Sequence, residues 1–186
     1  NGSLSFTGAG SEHSNSSVSG AGVLQVAENA SLALNGTSKL DGVQVDLDGN
    51  GMLELGNAAN SISGLTGSGA LNTGSALEIT TAGNALYEGS LSGEGSITMN
   101  GTGTQVLKGN GAIGQALSVT KGTLELTGAE GGNGSVTYKS LTAGSGAHVR
   151  LSPVWEGTGE VNTTLTVANG LNLQNSHLDL VINTNR

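Results

Sequence analysis

The chain has 186 residues, of which 33 are glycine, with one proline, no cysteine and only 2% aromatic residues. Because disulfide-stabilised domains and thiolate zinc sites both need cysteine, this composition excludes them, and glycine at this density argues against a bundle of helices. The formal net charge is −8, and the six basic residues are scattered, so no basic patch predicts a nucleic-acid partner.

Short segments with apolar residues at positions i and i+2 recur from one end of the chain to the other, which is the pattern of half-buried strands. Each covers only three to five residues, and no stretch keeps a helical period. In chain order, the predicted strands are 24–26, 32–34, 43–47, 53–55, 77–79, 97–99, 117–119, 124–126, 149–151, 165–167, 171–173 and 178–182.

Glycine-rich pairs separate these segments, for example Gly20 and Gly22, Gly49 and Gly51, and Gly67 and Gly69. Glycine and asparagine tolerate positive φ, so these positions predict turns. Strands this short, with few aromatic residues for a core, favour a parallel β-helix over an antiparallel sandwich. At about 22 to 25 residues per rung, the sequence predicts roughly seven to eight rungs.

Two stretches carry a resemblance to a known family. Residues 91–109 (LSGEGSITMNGTGTQVLKG) and 119–128 (VTKGTLELTG) resemble the repeat of bacterial autotransporter passenger domains of the AIDA/pertactin-like type. Residues 165–173 (LTVANGLNL) and 176–180 (SHLDL) are similar to the end of such passengers. Residues 1–90 have the same rhythm less regularly, so the clear matches cover about half of the chain.

The resemblance implies a right-handed parallel β-helix that is exported through the periplasm by type V secretion. It places the chain on the bacterial cell surface, at the outer membrane or released from it. It also implies a division into rungs 1–140 and C-terminal rungs 141–186 that act in folding like an autochaperone. The membrane barrel of the family is expected beyond Arg186, and since no signal sequence precedes Asn1, we expect a mature or excised segment.

The resemblance implies an adhesin or self-association module, without cofactors, that promotes cell aggregation, biofilm formation, host adhesion and virulence. Its expected partners are a second copy on another cell, or a host surface protein or glycan. The alternative is a passive β-helical stalk that displays a distal domain. A β-helical polysaccharide lyase or hydrolase is less favoured, because the acidic residues Asp41, Asp46, Asp48 and Glu54 and the four aromatic residues are too sparse for a sugar groove. We therefore expect no enzymatic activity.

One motif is a weak candidate for a calcium site. Asp46, Asp48 and Asn50 precede Gly51 with oxygen-bearing side chains at alternate residues, as in a calcium-binding loop. However, Asn57 stands at the twelfth position, where such loops use a bidentate glutamate, and a β-helix turn gives the same pattern.

Other motifs carry less weight. Residues 109–114 satisfy G-x-G-x-x-G, but no helix is predicted after them, so this is a coincidence of composition. His13, His148 and His177 lie far apart in the sequence, and no nucleophile elbow is present, although stacked rungs can bring distant residues together. Trp155 follows the only proline at residue 153, and we interpret it as a side chain that plugs an interrupted rung rather than as a ligand contact.

Overall fold

The computed structural model describes residues 2–109, 115–128, 135–156, 159–161 and 163–181. Within these residues the chain contains strands and turns, and it contains no helix long and apolar enough to cross a membrane. The all-β prediction is therefore confirmed.

The strands are short, as the sequence predicts, except where a strand bends around a corner of the fold. In chain order they are β1 Ser3–Phe6, β2 Ser11–Ser14, β3 Ser17–Ser19, β4 Val23–Val26, β5 Ser31–Asn35, β6 Lys39–Leu47, β7 Met52–Leu55, β8 Asn60–Gly67, β9 Ala70–Thr73, β10 Leu77–Ile79 and β11 Asn84–Tyr87. They continue as β12 Ser90–Ser92, β13 Ile97–Lys108, β14 Ala116–Thr127, β15 Ser135–Tyr138, β16 Ser140–Ala143, β17 His148–Ser152, β18 Val154–Glu156, β19 Gly159–Val161, β20 Thr164–Val167, β21 Leu171–Leu173 and β22 His177–Leu180.

Parallel pairing stacks these strands into a β-solenoid with three faces. Face 1 comprises β1, β4, residues 43–47, residues 64–67, β11, residues 104–108, residues 123–127, β17 and β22. Face 2 comprises β3, residues 39–41, residues 60–62, β10, residues 97–99, residues 116–119, β16 and β21. Face 3 comprises β2, β5, β7, β9 and β12. Faces 1 and 2 form one sheet of 13 strands because β6, β8, β13 and β14 pass around the corner between them.

The solenoid has about six turns, fewer than the seven to eight that the sequence predicts. In the earlier turns the repeat is short and regular, and Asp46 and Thr66 on successive levels of face 1 have a sequence separation of 20. In the later turns it lengthens: Glu125 and Arg150 on successive levels have a separation of 25, and the next return, from Arg150 to Asp179, is longer still.

The core consists of aliphatic columns inside the three faces. Leu24, Val45 and Leu65 lie at successive levels of one such column, and each is at most 1% exposed. Stacking like residues on like lets small aliphatic side chains fill a narrow interior, which is why few aromatic residues suffice. Burial of this kind contributes about 1.5–3 kcal/mol for each large aliphatic side chain.

Gly67 shows the two reasons why a corner of the solenoid requires glycine. Its φ is +94°, which side chains with a Cβ rarely adopt, and an added Cβ would overlap the carbonyl oxygen of Leu47 on the previous turn. The prediction that the glycine-rich pairs mark turns is confirmed at this corner.

The C-terminal part departs from the regular stack. β18 and β19 form an antiparallel hairpin between β17 and β20, whereas the other described strand pairs are parallel. β15 and β20 form a separate parallel pair. The predicted boundary between residues 140 and 141 falls within β16, and the division at that point stays a prediction.

Candidate functional site

The outward side of face 1 is the candidate functional surface, because its inner strands, such as β4 and β11, alternate between core and solvent. In β4, Leu24 and Val26 are buried while Gln25 is half-buried and points outward. Parallel pairing in register then places the outward residue of every strand directly above that of the strand before. The central outward column is Ser5, Gln25, Asp46, Thr66, Leu86, Val106, Glu125, Arg150 and Asp179.

In the first turns, uncharged donors tie neighbouring levels of this surface together. The Thr66 hydroxyl donates to Oδ1 of Asp46 over 2.9 Å, and the Gln25 amide donates to Oδ2 of Asp48 over 2.8 Å. Bonds between side chains one turn apart hold the surface in a single arrangement before any partner arrives.

The middle of face 1 is apolar. Leu86 is 45% exposed, and Val106 lies beside it on the next strand, half-buried. At the corner next to them, Nζ of Lys108 lies 2.7 Å from Oε1 of Glu88. An apolar centre with polar and charged neighbours is the usual anatomy of a protein interface.

The C-terminal end of face 1 carries a charged cluster. Nη1 of Arg150 lies 3.3 Å from Oε2 of Glu125, and the Ser152 hydroxyl donates to Oε1 of the same carboxylate over 2.6 Å. Nδ1 of His148 lies 3.1 Å from Oδ2 of Asp179. These groups are partly exposed, so each pair contributes at most about 1 kcal/mol.

Two of the three histidines, which lie far apart in the sequence, are neighbours in the structure. The rings of His148 and His177 stack with centroids 4.6 Å apart and planes 11° apart, while His13 lies edge-on against Phe6, 5.6 Å away. A sequence signal could have found this pair. If the alternating segments 149–151 and 178–180 are aligned as successive levels of one face, His148 and His177 become neighbours.

The three residues of the calcium candidate each contact other side chains of the chain. Asp46 lies on the strand and accepts from Thr66, Asp48 lies at the corner and accepts from Gln25, and the amide of Asn50 is 3.5 Å from that of Asn29. Across the described parts of the chain, no group of three or more histidine, aspartate or glutamate residues is arranged to hold a metal ion. Calcium binding by these residues stays a prediction.

The tyrosines are core residues rather than platforms for a ligand. Tyr87 and Tyr138 are at most 2% exposed, and the Tyr87 hydroxyl donates to the carbonyl oxygens of Gly69 and Ser90. Burial raises the pKa of both phenols well above the ordinary value, so both stay protonated. Trp155 lies in β18, opposite Glu160 in the hairpin, and the predicted placement of its side chain lies outside the described residues.

Face 2 carries a shallow groove of about 300 Å³. Its polar lining includes Lys39, Asp41, Ser61, Glu78 and Thr98. Glu78 accepts from Asn100 over 2.7 Å, and Nζ of Lys39 is 4.0 Å from Asp41. The carboxylates here are therefore already partnered within the chain. Most of the G-x-G-x-x-G segment lies outside the described residues.

Comparison with protein-family models, with curated proteins and with solved structures finds no match to this chain.

Proposed function

We propose that this chain is a surface-exposed autotransporter passenger segment that acts as an adhesin and self-association module. The observation that carries the proposal is the outward side of face 1, where nine stacked strands present side chains in register. Its first turns are held by hydrogen bonds between levels, and its middle exposes Leu86.

A flat, preordered face suits adhesion between cells. Each hydrogen bond or ion pair across such a face is weak, but the side chains lose little conformational entropy because they are already fixed. Many copies on two opposing surfaces raise the effective concentration and convert weak pair contacts into stable attachment. The same argument supports a location on the bacterial surface, with the outer membrane as the anchoring layer. We also propose a right-handed solenoid, the hand that nearly all parallel crossovers within one sheet adopt.

Aggregation of coated beads tests this function directly. Beads that carry the chain through a terminal tag should aggregate with one another or adhere to host cells. Beads coated with the unfolded chain serve as the control, because they carry the same composition and charge without the ordered face. If folded and unfolded coats behave alike in both assays, the adhesin proposal is wrong and the passive stalk is the better interpretation.

A further inference from the structure

The core column of face 1 is aliphatic except at two neighbouring levels. Ala85 in β11 and Gln105 in β13 interrupt it, and the other levels from β4 to β17 carry Leu24, Val45, Leu65, Leu124 and Val149. Gln105 is 0% exposed. Because Ala85 has no side chain beyond Cβ, the side chain of Gln105 passes it and reaches Leu65, two levels earlier in the stack. Levels of a solenoid usually contact only their neighbours, so this contact is a special feature of the column.

The carboxamide of Gln105 bonds the backbone of Leu65 with both of its polar atoms. Oε1 accepts from the Leu65 N–H over 3.1 Å, and Nε2 donates to the Leu65 carbonyl oxygen over 2.9 Å. Nε2 also lies 3.3 Å from the carbonyl oxygen of Ala85 and 3.1 Å from that of Val106. A buried amide whose polar atoms are all partnered stabilises one arrangement of the residues around it.

The ladder of face 1 is interrupted at the level where this amide lies. β11 pairs with β13 at four successive residues, but it pairs with β8 only at Tyr87 and Gly67. There the N–H of Glu88 donates to the carbonyl oxygen of Gly67 over 2.8 Å. Residues 84–86, the first part of β11, therefore lie outside the ladder with β8.

Gln105 supplies the two bonds that this part of β11 does not make. Continued parallel pairing would place Ala85 beside Leu65, and it would direct the carbonyl oxygen of Asn84 and the N–H of Leu86 to the Leu65 backbone. Oε1 of Gln105 takes the place of that carbonyl oxygen, and Nε2 takes the place of that N–H. The side-chain amide thus replaces a peptide group of the missing strand pairing.

Leu86 also differs from the rest of the outward column of face 1. The other members of that column from Gln25 to Asp179 are half-buried, whereas Leu86 is 45% exposed. Val106 occupies the equivalent position one level later, where the strand pairing is continuous, and it is half-buried. The exposure of Leu86 therefore coincides with the interrupted pairing beside it.

We propose that Gln105 is a buried positioning residue that keeps Leu86 exposed at the centre of face 1. Its carboxamide partners Leu65 in place of β11, so residues 84–86 stay outside the ladder with their side chains more accessible. This inference rests on the proposed adhesin function, in which Leu86 is the exposed apolar contact of the surface.

Hydrogen exchange of the wild-type chain, followed by NMR, tests the arrangement without any substitution. The N–H of Leu65 should be protected because Gln105 holds it, as should the N–H of Val106 in the continuous ladder. The N–H of Leu86 should exchange at least about tenfold faster than that of Val106. Equal protection of Leu86 and Val106 would overturn the proposal, because Leu86 would then belong to the ladder.

Gln105→Leu tests the role of the carboxamide. The variant places an aliphatic side chain in the column and removes both bonds to Leu65. Because the buried Leu65 groups then lack partners, residues 84–86 should pair with β8, and exchange at Leu86 should slow at least about tenfold. The chain has no cysteine, so Leu86→Cys provides a single thiol, whose alkylation should slow at least about threefold when Gln105→Leu is added.

Gln115→Leu is the matched control. Gln115 is also 0% exposed, and its Nε2 donates to the Thr73 hydroxyl over 2.9 Å and to the Ser92 carbonyl oxygen over 2.6 Å. It lies just before β14, at the start of face 2 rather than on face 1. Its loss should lower stability, as the loss of Gln105 does, but leave exchange and alkylation at position 86 unchanged.

Two results with folded variants would overturn the positioning role. One is unchanged or faster exchange at Leu86 in Gln105→Leu, and the other is an equal change at position 86 in Gln115→Leu, which would indicate general loosening. The wild-type exchange rates decide the proposal even if Gln105→Leu does not fold.

Bead aggregation separates this failure from failure of the function. Beads coated with Gln105→Leu should aggregate or adhere less than wild-type beads, while Gln115→Leu beads should behave like wild-type beads. If Gln105→Leu beads behave like wild-type beads although Leu86 has become protected, the link between Leu86 and adhesion is wrong. If wild-type beads neither aggregate nor adhere, the adhesin function is wrong, and exchange and alkylation still decide the role of Gln105.

Discussion

The turns up to residue 109 and the turns after residue 115 use the same parallel pairing but are stabilised differently. In the earlier part the returns are short, and uncharged donors such as Gln25 and Thr66 link neighbouring levels of face 1, together with the ion pair between Lys108 and Glu88. In the later part the returns lengthen, and face 1 is linked by the charged groups of Glu125, Arg150 and Asp179. In both parts the interior levels are buried, and the exposed aliphatic residues of the inward columns lie at the ends of the stack, with Leu4 at one end and Leu178 and Leu180 at the other.

The largest expected difference between the two parts concerns core truncation. Leu65→Ala should lower the free energy of unfolding by about 2–5 kcal/mol, because Leu65 is 0% exposed and neighbouring levels prevent the cavity from collapsing. Leu173→Ala in β21 should lower it by only about 1 kcal/mol, because that side chain is partly buried and keeps solvent contact. Urea-induced unfolding followed by circular dichroism measures both, and equal losses would contradict the distinction between a buried interior level and a partly exposed end level of the core.

A smaller difference is expected at the corner glycines. Gly67→Ala introduces a Cβ into the carbonyl oxygen of Leu47 as well as an unfavourable φ, so we expect a loss of at least about 3 kcal/mol. Gly146 has a φ of +76° with nothing within 4 Å of an added Cβ, so Gly146→Ala should lose only the conformational term of about 1–2 kcal/mol. Thermal unfolding of the two variants compares them, and a Gly146 variant as unstable as the Gly67 variant would show that the corners are equally crowded.

The smallest effects are expected on the outward side of face 1. Glu125→Gln should lower stability by at most about 1 kcal/mol, and added salt should reduce the effect, because it weakens partly exposed contacts to Arg150 and Ser152. Thr66→Val removes one hydroxyl contact to Asp46 without changing a charge, so its effect should be of similar size and depend little on salt. Unfolding measured at low and high ionic strength distinguishes the two variants. If both effects depend equally on salt, the contrast between the charged contacts of Glu125 and the hydroxyl contact of Thr66 is wrong.

Apolar alternation predicted half of the 22 described strands, including β4, β5, β7, β10 and β21. It missed β2, whose sequence SEHS has no aliphatic residue, because that strand is recognised only through its pairing with β5. It also missed β8, because its first half belongs to face 2 and its second half to face 1, and the bend between them interrupts the period of two.

The sequence predicted the candidate functional surface less well than it predicted the fold. The calcium motif is visible as a local pattern, whereas the neighbouring positions of His148, His177 and Asp179 depend on pairing between distant parts of the chain. The return from β17 to β22 is longer than the returns between the earlier levels, so a regular repeat places the wrong residues above one another.

The sequence by itself determined that the chain is built from short strands separated by glycine corners, because side-chain alternation and positive φ are local properties. It also determined that the core is aliphatic, because only 2% of the residues are aromatic. Only the tertiary structure decided how many turns stack, where the corners lengthen, and which outward residues share a column. Those features depend on hydrogen bonds between neighbouring levels that are distant in the sequence, and a change of register at any level moves every side chain above it.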